Sequence, residues 1–183
     1  MREQVKRSLA HGLLACAVLA AASACTAPHP DAPREWIEFG AGVADPTRGA
    51  AVDYGDALMA SVGGGYDLND DPIVASWELG ANWSGHELDS GAGDVQLWRV
   101  QTGVRARARL EGTPLGVHAR AGLEWRDESS DVLVGVDQWG TYAAVGLDWW
   151  YTPFASLGPE LLWFHGQEDG LDEIRFALLA RLF

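Results

Sequence analysis

From Ile73 to Ser84 the chain changes character at every step. Ile73, Ala75, Trp77, Leu79, Ala81 and Trp83 alternate with Val74, Ser76, Glu78, Gly80, Asn82 and Ser84. A period of two is the mark of a strand with one apolar face. The same alternation runs from Gln96 to Leu110, where Trp98, Val100, Val104, Ala106 and Ala108 oppose Arg99, Gln101, Gly103, Arg105, Arg107 and Arg109. It runs again through residues 115–126 and 139–150, the latter with Trp139, Val145, Leu147 and Trp149 against Gly140, Tyr142, Gly146 and Asp148. Weaker alternation covers 36–43, 57–68, 153–164 and 172–183. The pattern predicts an all-β chain of about eight antiparallel strands, with no internal sequence repeat.

The predicted connections alternate in length. Segments 45–56, 85–94, 127–138 and 166–171 are long or rich in Gly and Asp, whereas 69–72, 111–114 and 151–153 are tight. Asn69-Asp70-Asp71-Pro72 and Gly112-Thr113-Pro114 are turn signals. Long loops at one end and short turns at the other characterise up-and-down transmembrane barrels.

The two faces separate a membrane barrel from a soluble one. The apolar face carries Trp at its ends, and the other face carries Gly, small residues and Arg. Trp83, Trp98, Trp125, Trp139 and Trp163 all sit next to long loops, and Trp149 lies at the far end of the strand that begins with Trp139. These six are candidates for an aromatic girdle, since Trp collects where an apolar band meets headgroups. Trp139 and Trp149 lie about 25 Å apart along the membrane normal, at roughly 3.3 Å per residue and a tilt near 40°. No hydrophobic stretch, the apolar run Leu13 to Ala22 included, is long enough for a spanning helix, so a spanning structure must be a closed barrel.

The first residues add an address. Arg2, Lys6 and Arg7 precede an apolar run from Leu13 to Ala22 and the small residues Ala22-Ser23-Ala24 before Cys25. This order is that of a secretory signal peptide, which assigns 1–24 to the signal, 25–34 to a short periplasmic segment and 35–183 to the barrel. Two fates stay open for Cys25. It resembles the lipidated Cys of a bacterial lipobox, although Ala22 stands where Leu is usual, and ordinary cleavage after Ala24 would leave it a lone thiol.

Of 13 basic and 26 acidic residues, cleavage removes Arg2, Lys6, Arg7 and Glu3, leaving ten Arg, no Lys and 25 acids, a net charge of −15. That acidity excludes nucleic acid as a partner, because phosphate binding needs a basic face. Twelve of the acids fall in the long predicted loops, with Asp172 at the edge of the last, and none has EF-hand spacing, so they read as solvated charge, and neither metal nor other cofactor is expected.

Eight of the ten Arg lie on the predicted inward face, with Glu38, Glu78, Glu124, Asp148, Glu160 and Glu173 as inward carboxylates. An eight-stranded interior is just wide enough for side chains to fill. Unpaired burial would cost several kcal/mol per ion, so pairing is expected. The reading is a lumenal ion-pair network centred on Glu78 and Glu160 with Arg105, Arg107, Arg120 and Arg175. The alternative is a narrow anion path along the Arg ladder.

The signal peptide, the amphipathic strands, the short turns on one side and Phe183 resemble the OmpA-like and OmpX-like small outer-membrane barrels. The resemblance implies a bacterial outer-membrane location and contact with outer-membrane lipids and lipopolysaccharide; the oligomeric state stays open, with a monomer favoured. It also implies that Phe183 helps the barrel-assembly machinery recognise the last strand. Phe183 shares parity with Arg175 and Arg181 rather than Leu182, and a bulge or frayed end would return it to the outward face. The lipid A 3-O-deacylases are similar in another respect: their seventh strand carries His-x-Ser and their last strand a Glu. Here His165-Gly166-Gln167 and Glu173 stand in those places, with Gln167 where the Ser would be. Without a nucleophile no catalysis is expected, and His165 reads as an interfacial residue.

Overall fold

The computed structural model describes residues 34–48, 56–69, 72–87, 93–130, 137–167 and 172–183. The expected signal peptide, Cys25 and all but the last residue of segment 25–34 lie outside the described residues.

Eight antiparallel strands form one closed barrel in sequence order. They are β1 (Glu35–Arg48), β2 (Ala57–Asp67), β3 (Ile73–Glu87), β4 (Asp94–Arg109), β5 (Leu115–Ser130), β6 (Asp137–Thr152), β7 (Ala155–Gly166) and β8 (Asp172–Leu182). Each strand pairs with the next, and β1 closes the ring on β8 from Ile37↔Leu182 through Arg48↔Asp172. This is the up-and-down architecture that the alternation predicts. Closure leaves no unpaired sheet edge, which the interior of a bilayer demands.

Burial follows the period of two and inverts the polarity of a soluble protein. Arg99 is 0% exposed and Arg175 1%, while Val104 and Val145 are each 59% exposed. Most of the large apolar residues therefore form the outer wall, and charged residues fill the lumen together with two apolar clusters, Met59–Ala177–Leu179 and Tyr142–Ala144–Leu162–Phe164. Among the described residues no helix is long and apolar enough to cross a membrane; the strands of the barrel provide that apolar exterior.

The strands run further than the apolar pattern. β1, β3 and β5 extend to Arg48, Glu87 and Ser130, into segments read from the sequence as loops. Beyond Trp98 the polarity of β4 reverses: Val95 and Leu97 are buried inside, while Asp94 and Gln96 are exposed. Strand pairing continues here above the apolar band, where water rather than lipid meets the outer face. The alternation therefore loses its sign although the hydrogen bonds persist.

At the short-turn end the side chains fix the reversals. Asn69 donates through Nδ2 to the Ile73 carbonyl at 3.0 Å, and its Oδ1 accepts from the Ala75 amide at 2.6 Å. Gly112 adopts φ +73°, the left-handed region that a side chain disfavours. The seventh strand begins at Ala155 rather than at Pro153, because Pro153 and Phe154 make the turn and proline has no N–H for the ladder.

Candidate functional site in the barrel lumen

Side chains pack the lumen in three tiers. In the central tier Glu78 accepts from Arg105 Nε at 2.9 Å, from Arg120 Nη1 at 3.3 Å and from the Tyr142 hydroxyl at 2.7 Å. Arg120 also donates through Nη2 to Glu160 at 2.5 Å. Glu38 Oε2 accepts from Arg105 Nη1 at 2.9 Å and from Arg181 Nε at 2.5 Å. Arg181 binds Asp148 as well. The His118 ring lies between two carboxylates, with Nδ1 3.1 Å from Asp148 Oδ2 and Nε2 3.0 Å from Glu160 Oε2.

The tier toward the long loops holds Arg99, Arg126 and Arg175 around Glu124 and Glu173. Arg175 grips Glu124 with both terminal nitrogens, the Nη1 contact at 2.6 Å, and Arg99 Nη2 donates to Glu173 at 2.6 Å. Such a fork on a carboxylate fixes orientation as well as charge. Arg126 binds Glu173 and lies 4.2 Å above the Phe164 ring.

The tier at the short-turn end is aromatic. Trp150 stacks on Phe183 with ring centroids 4.7 Å apart, and Trp36 lies 6.4 Å from Phe183. Arg109 covers Trp150 at 3.5 Å, Arg107 covers Phe183 at 4.2 Å, and Arg105 covers Trp36 at 4.4 Å. Asp67 pairs with Arg107 and accepts from Ser76 Oγ at 2.7 Å.

Glycines seat the large groups. A Cβ on Gly146 would collide with the His118 ring, one on Gly140 with Phe164, and one on Gly65 with Trp36. The bulk of one strand thus lies over the bare backbone of its neighbour. The lumen cavity that remains beside the central tier measures about 20 Å³.

The structure brings Glu78, Glu160, Arg105 and Arg120 into one cluster. Arg107 is not part of it; it pairs with Asp67 at the short-turn end. Arg175 belongs to the outer tier. Glu38, Arg181, Asp148 and His118 complete the central tier, and although all four have inward parity, the sequence reading left them outside the network. Parity says which residues face inward, but the stagger of the strands decides which of them meet.

The six girdle candidates stand on the outer wall. Trp83 pairs directly with Trp98, and Trp125 with Trp139. Trp149 lies toward the short turns with Trp77, which pairs with Tyr66 and which the sequence reading did not place in the girdle. Phe183 needs no bulge: its amide donates to the Phe154 carbonyl at 2.8 Å, and its ring turns into the lumen mouth. His165 faces outward, with Nδ1 2.6 Å from Asp172 Oδ1, whereas Glu173 faces the lumen. The residues that the deacylase resemblance would join are therefore separated by the barrel wall.

The sequence matches the family described as outer membrane protein beta-barrel domain over residues 14–153. No curated protein matches it. The structure is similar to that of Neisserial surface protein A (NspA), with a TM-score of 0.61 at 13% identity over 81% of this chain and 96% of that one. It is also similar to Ail, the attachment invasion locus protein of Yersinia pestis, in complex with the heparin analogue sucrose octasulfate: TM-score 0.57, 10% identity, 81% and 97% covered. The outer membrane enzyme PagL is a third, with a TM-score of 0.52 at 10% identity over 79% and 98%. At these identities the likeness is one of fold.

Proposed function

The chain belongs to the outer membrane protein beta-barrel domain family, and from that membership we propose a non-enzymatic, plugged barrel that acts through its wall and outer loops rather than its lumen. Its place is the bacterial outer membrane. The short-turn end then faces the periplasm.

The observation that carries the plugged reading is the filled lumen. Two tiers of buried ion pairs and an aromatic tier lie in series, and the cavity of about 20 Å³ beside them is too small for a hydrated ion. Opening a path means separating ion pairs inside a low-dielectric tube, which costs several kcal/mol per ion. The non-enzymatic reading is supported by His165, whose imidazole engages Asp172 and, among the described residues, no hydroxyl.

On this reading the outward wall contacts outer-membrane lipids and lipopolysaccharide, with Trp83, Trp98, Trp125, Trp139, Trp149 and Trp163 as the girdle. The barrel works as a monomer. Residues 1–24 export the chain, and Cys25 is either its lipidated first residue or a free thiol. Phe183 serves the assembly machinery before the barrel closes, because in the closed barrel its ring is stacked on Trp150.

The test is a planar-bilayer recording of the refolded full chain. The expected trace is flat at both polarities. Reproducible conductance steps favouring anions would replace the plug by a pore along the Arg ladder.

A further inference from the structure

Strands β6 and β7 are not bonded along their whole length. The Gln167 amide donates to the Trp139 carbonyl at 3.1 Å, and bonded pairs recur at every second residue of an antiparallel ladder. In this register the series runs on through Thr141↔His165, Ala143↔Trp163 and Val145↔Leu161. Its next member would join Leu147 to Pro159. Proline has no N–H, so the bond to the Leu147 carbonyl cannot form. Pairing lapses after Gly146↔Glu160 and resumes at Trp149↔Leu157.

Over this gap the outer wall is hollow. An open, almost wholly apolar hollow of about 680 Å³ is lined by Ala106, Ala108 and Ala119 beside Leu147, Leu161 and Phe176. Pro159 lines it too, and it reaches as deep as His118 and Glu160, which are buried and engage each other inside the barrel. Its level is set by the strands. Leu147 is two residues from Trp149 and eight from Trp139, and Ala108 is the residue before the last of β4. The hollow therefore lies in the half of the wall nearer the short turns.

We propose that this hollow is a binding site for one acyl chain of a phospholipid in the periplasmic leaflet. The inference rests on the reading that the wall faces outer-membrane lipid, and it names the lipid and the place. Within a bilayer no hydrophobic force prefers one apolar patch to another, since the tails are as apolar as the side chains; association follows van der Waals packing. Elsewhere on the convex wall a tail touches large side chains at their tips. Here the three alanines let it approach the main chain, and Leu147, Leu161 and Phe176 add contacts along its sides. The volume falls in the range of small-molecule sites, about 300–1,000 Å³. The lining offers no exposed charge to a headgroup, so the tail is the part that binds. The level selects the source, because the acyl chains of lipopolysaccharide hang from the long-loop side.

The experiment is photo-crosslinking of the refolded full chain in vesicles of phosphatidylethanolamine and phosphatidylglycerol, doped with a phospholipid that carries a diazirine in mid-chain. Labelling should concentrate at Leu147 and Pro159, about tenfold above Ile37 and Val62 on the far wall, the bias that roughly ten added carbon contacts would give. In Ala119→Leu, which fills the hollow from the lipid side and leaves the lumen alone, labelling of Leu147 should fall to the level of Ile37. Unlabelled lipopolysaccharide added to the vesicles should leave the pattern unchanged. Even labelling around the wall, or labelling of Leu147 that survives Ala119→Leu, overturns the site while the lipid-facing wall stands. Displacement by lipopolysaccharide overturns the phospholipid assignment. Absence of label from Ile37 and Val62 as well as from Leu147 would refute the lipid-facing wall itself.

Discussion

Arg105 on β4 crosses the lumen to Glu38 on β1, with Nη1 2.9 Å from Oε2, although the two strands are not neighbours in the sheet. Glu38 accepts from Arg181 on β8 as well, so one carboxylate ties three strands together. Backbone pairing closes the barrel; this contact braces it across its diameter.

Glu38→Ala should therefore be strongly destabilising. It takes one carboxylate partner from each of two buried guanidiniums, while Arg105 keeps Glu78 and Arg181 keeps Asp148, and removing one partner of a buried pair costs about 3–5 kcal/mol. Urea unfolding in vesicles, read by the gel shift between boiled and unboiled protein, measures it. A loss below about 1 kcal/mol, the range of exposed pairs, would mean that the lumen is wet enough to screen the pair.

Phe183→Ala should loosen the periplasmic end. The ring stacks on Trp150 and lies under Arg107. An aromatic pair contributes about 0.5–1.5 kcal/mol beyond its area, and a cation over a ring about 0.5–1 kcal/mol. A loss of about 1–2 kcal/mol in the same unfolding assay is expected, together with a shift in Trp150 fluorescence. No change in either would place the ring outside the mouth.

Gly40→Ala tests the seating of bulk on bare backbone. Its Cβ would strike the ends of the Leu179 and Ser61 side chains rather than the main chain. Overpacking of this kind costs about 1–3 kcal/mol. Leu179→Ala alone should cost about 2–5 kcal/mol by leaving a cavity. The double variant should lose clearly less than the sum, and strict additivity would deny the contact.

Brominated lipids should map the girdle. Single-Trp variants retaining Trp139 or Trp149 should be quenched by bromine near the headgroups, from opposite leaflets. A variant retaining Trp36, 3% exposed inside the barrel, should not be quenched at any depth. Equal quenching of Trp36 would contradict the inward assignment.

Cells expressing the chain should keep the lipid A acyl pattern of the parent strain, as mass spectrometry would show. A lost acyl group that returns with His165→Ala would make His165 and Asp172 a working pair and overturn the non-enzymatic reading.

The alternation of residues 73–126 was enough to place the strands and to say which side chains face inward, because a barrel strand obeys its period of two wherever lipid is on one side. Above the apolar band that rule weakens, and Val95 and Leu97 turn inward without any signal that marks β4 as still a strand. Pairing inside the lumen was less legible. Arg107 and Arg105 share a strand and a face, yet one meets Asp67 and the other Glu38 and Glu78. Which carboxylate each reaches depends on stagger and on where glycines clear the path, and both are properties of the closed ring rather than of any one strand.

The glycine seats also constrain how such a barrel can drift over generations. A bulky lumenal residue and the glycine beneath it form a couple: changing either alone gives a clash or a hole, so a viable path has to change both in quick succession. The lipid-facing wall asks only for apolar character and can be rewritten one letter at a time. Two lineages of this architecture could thus share little more than a tenth of their letters, as this chain and its structural neighbours do, while the interior moves only in paired steps.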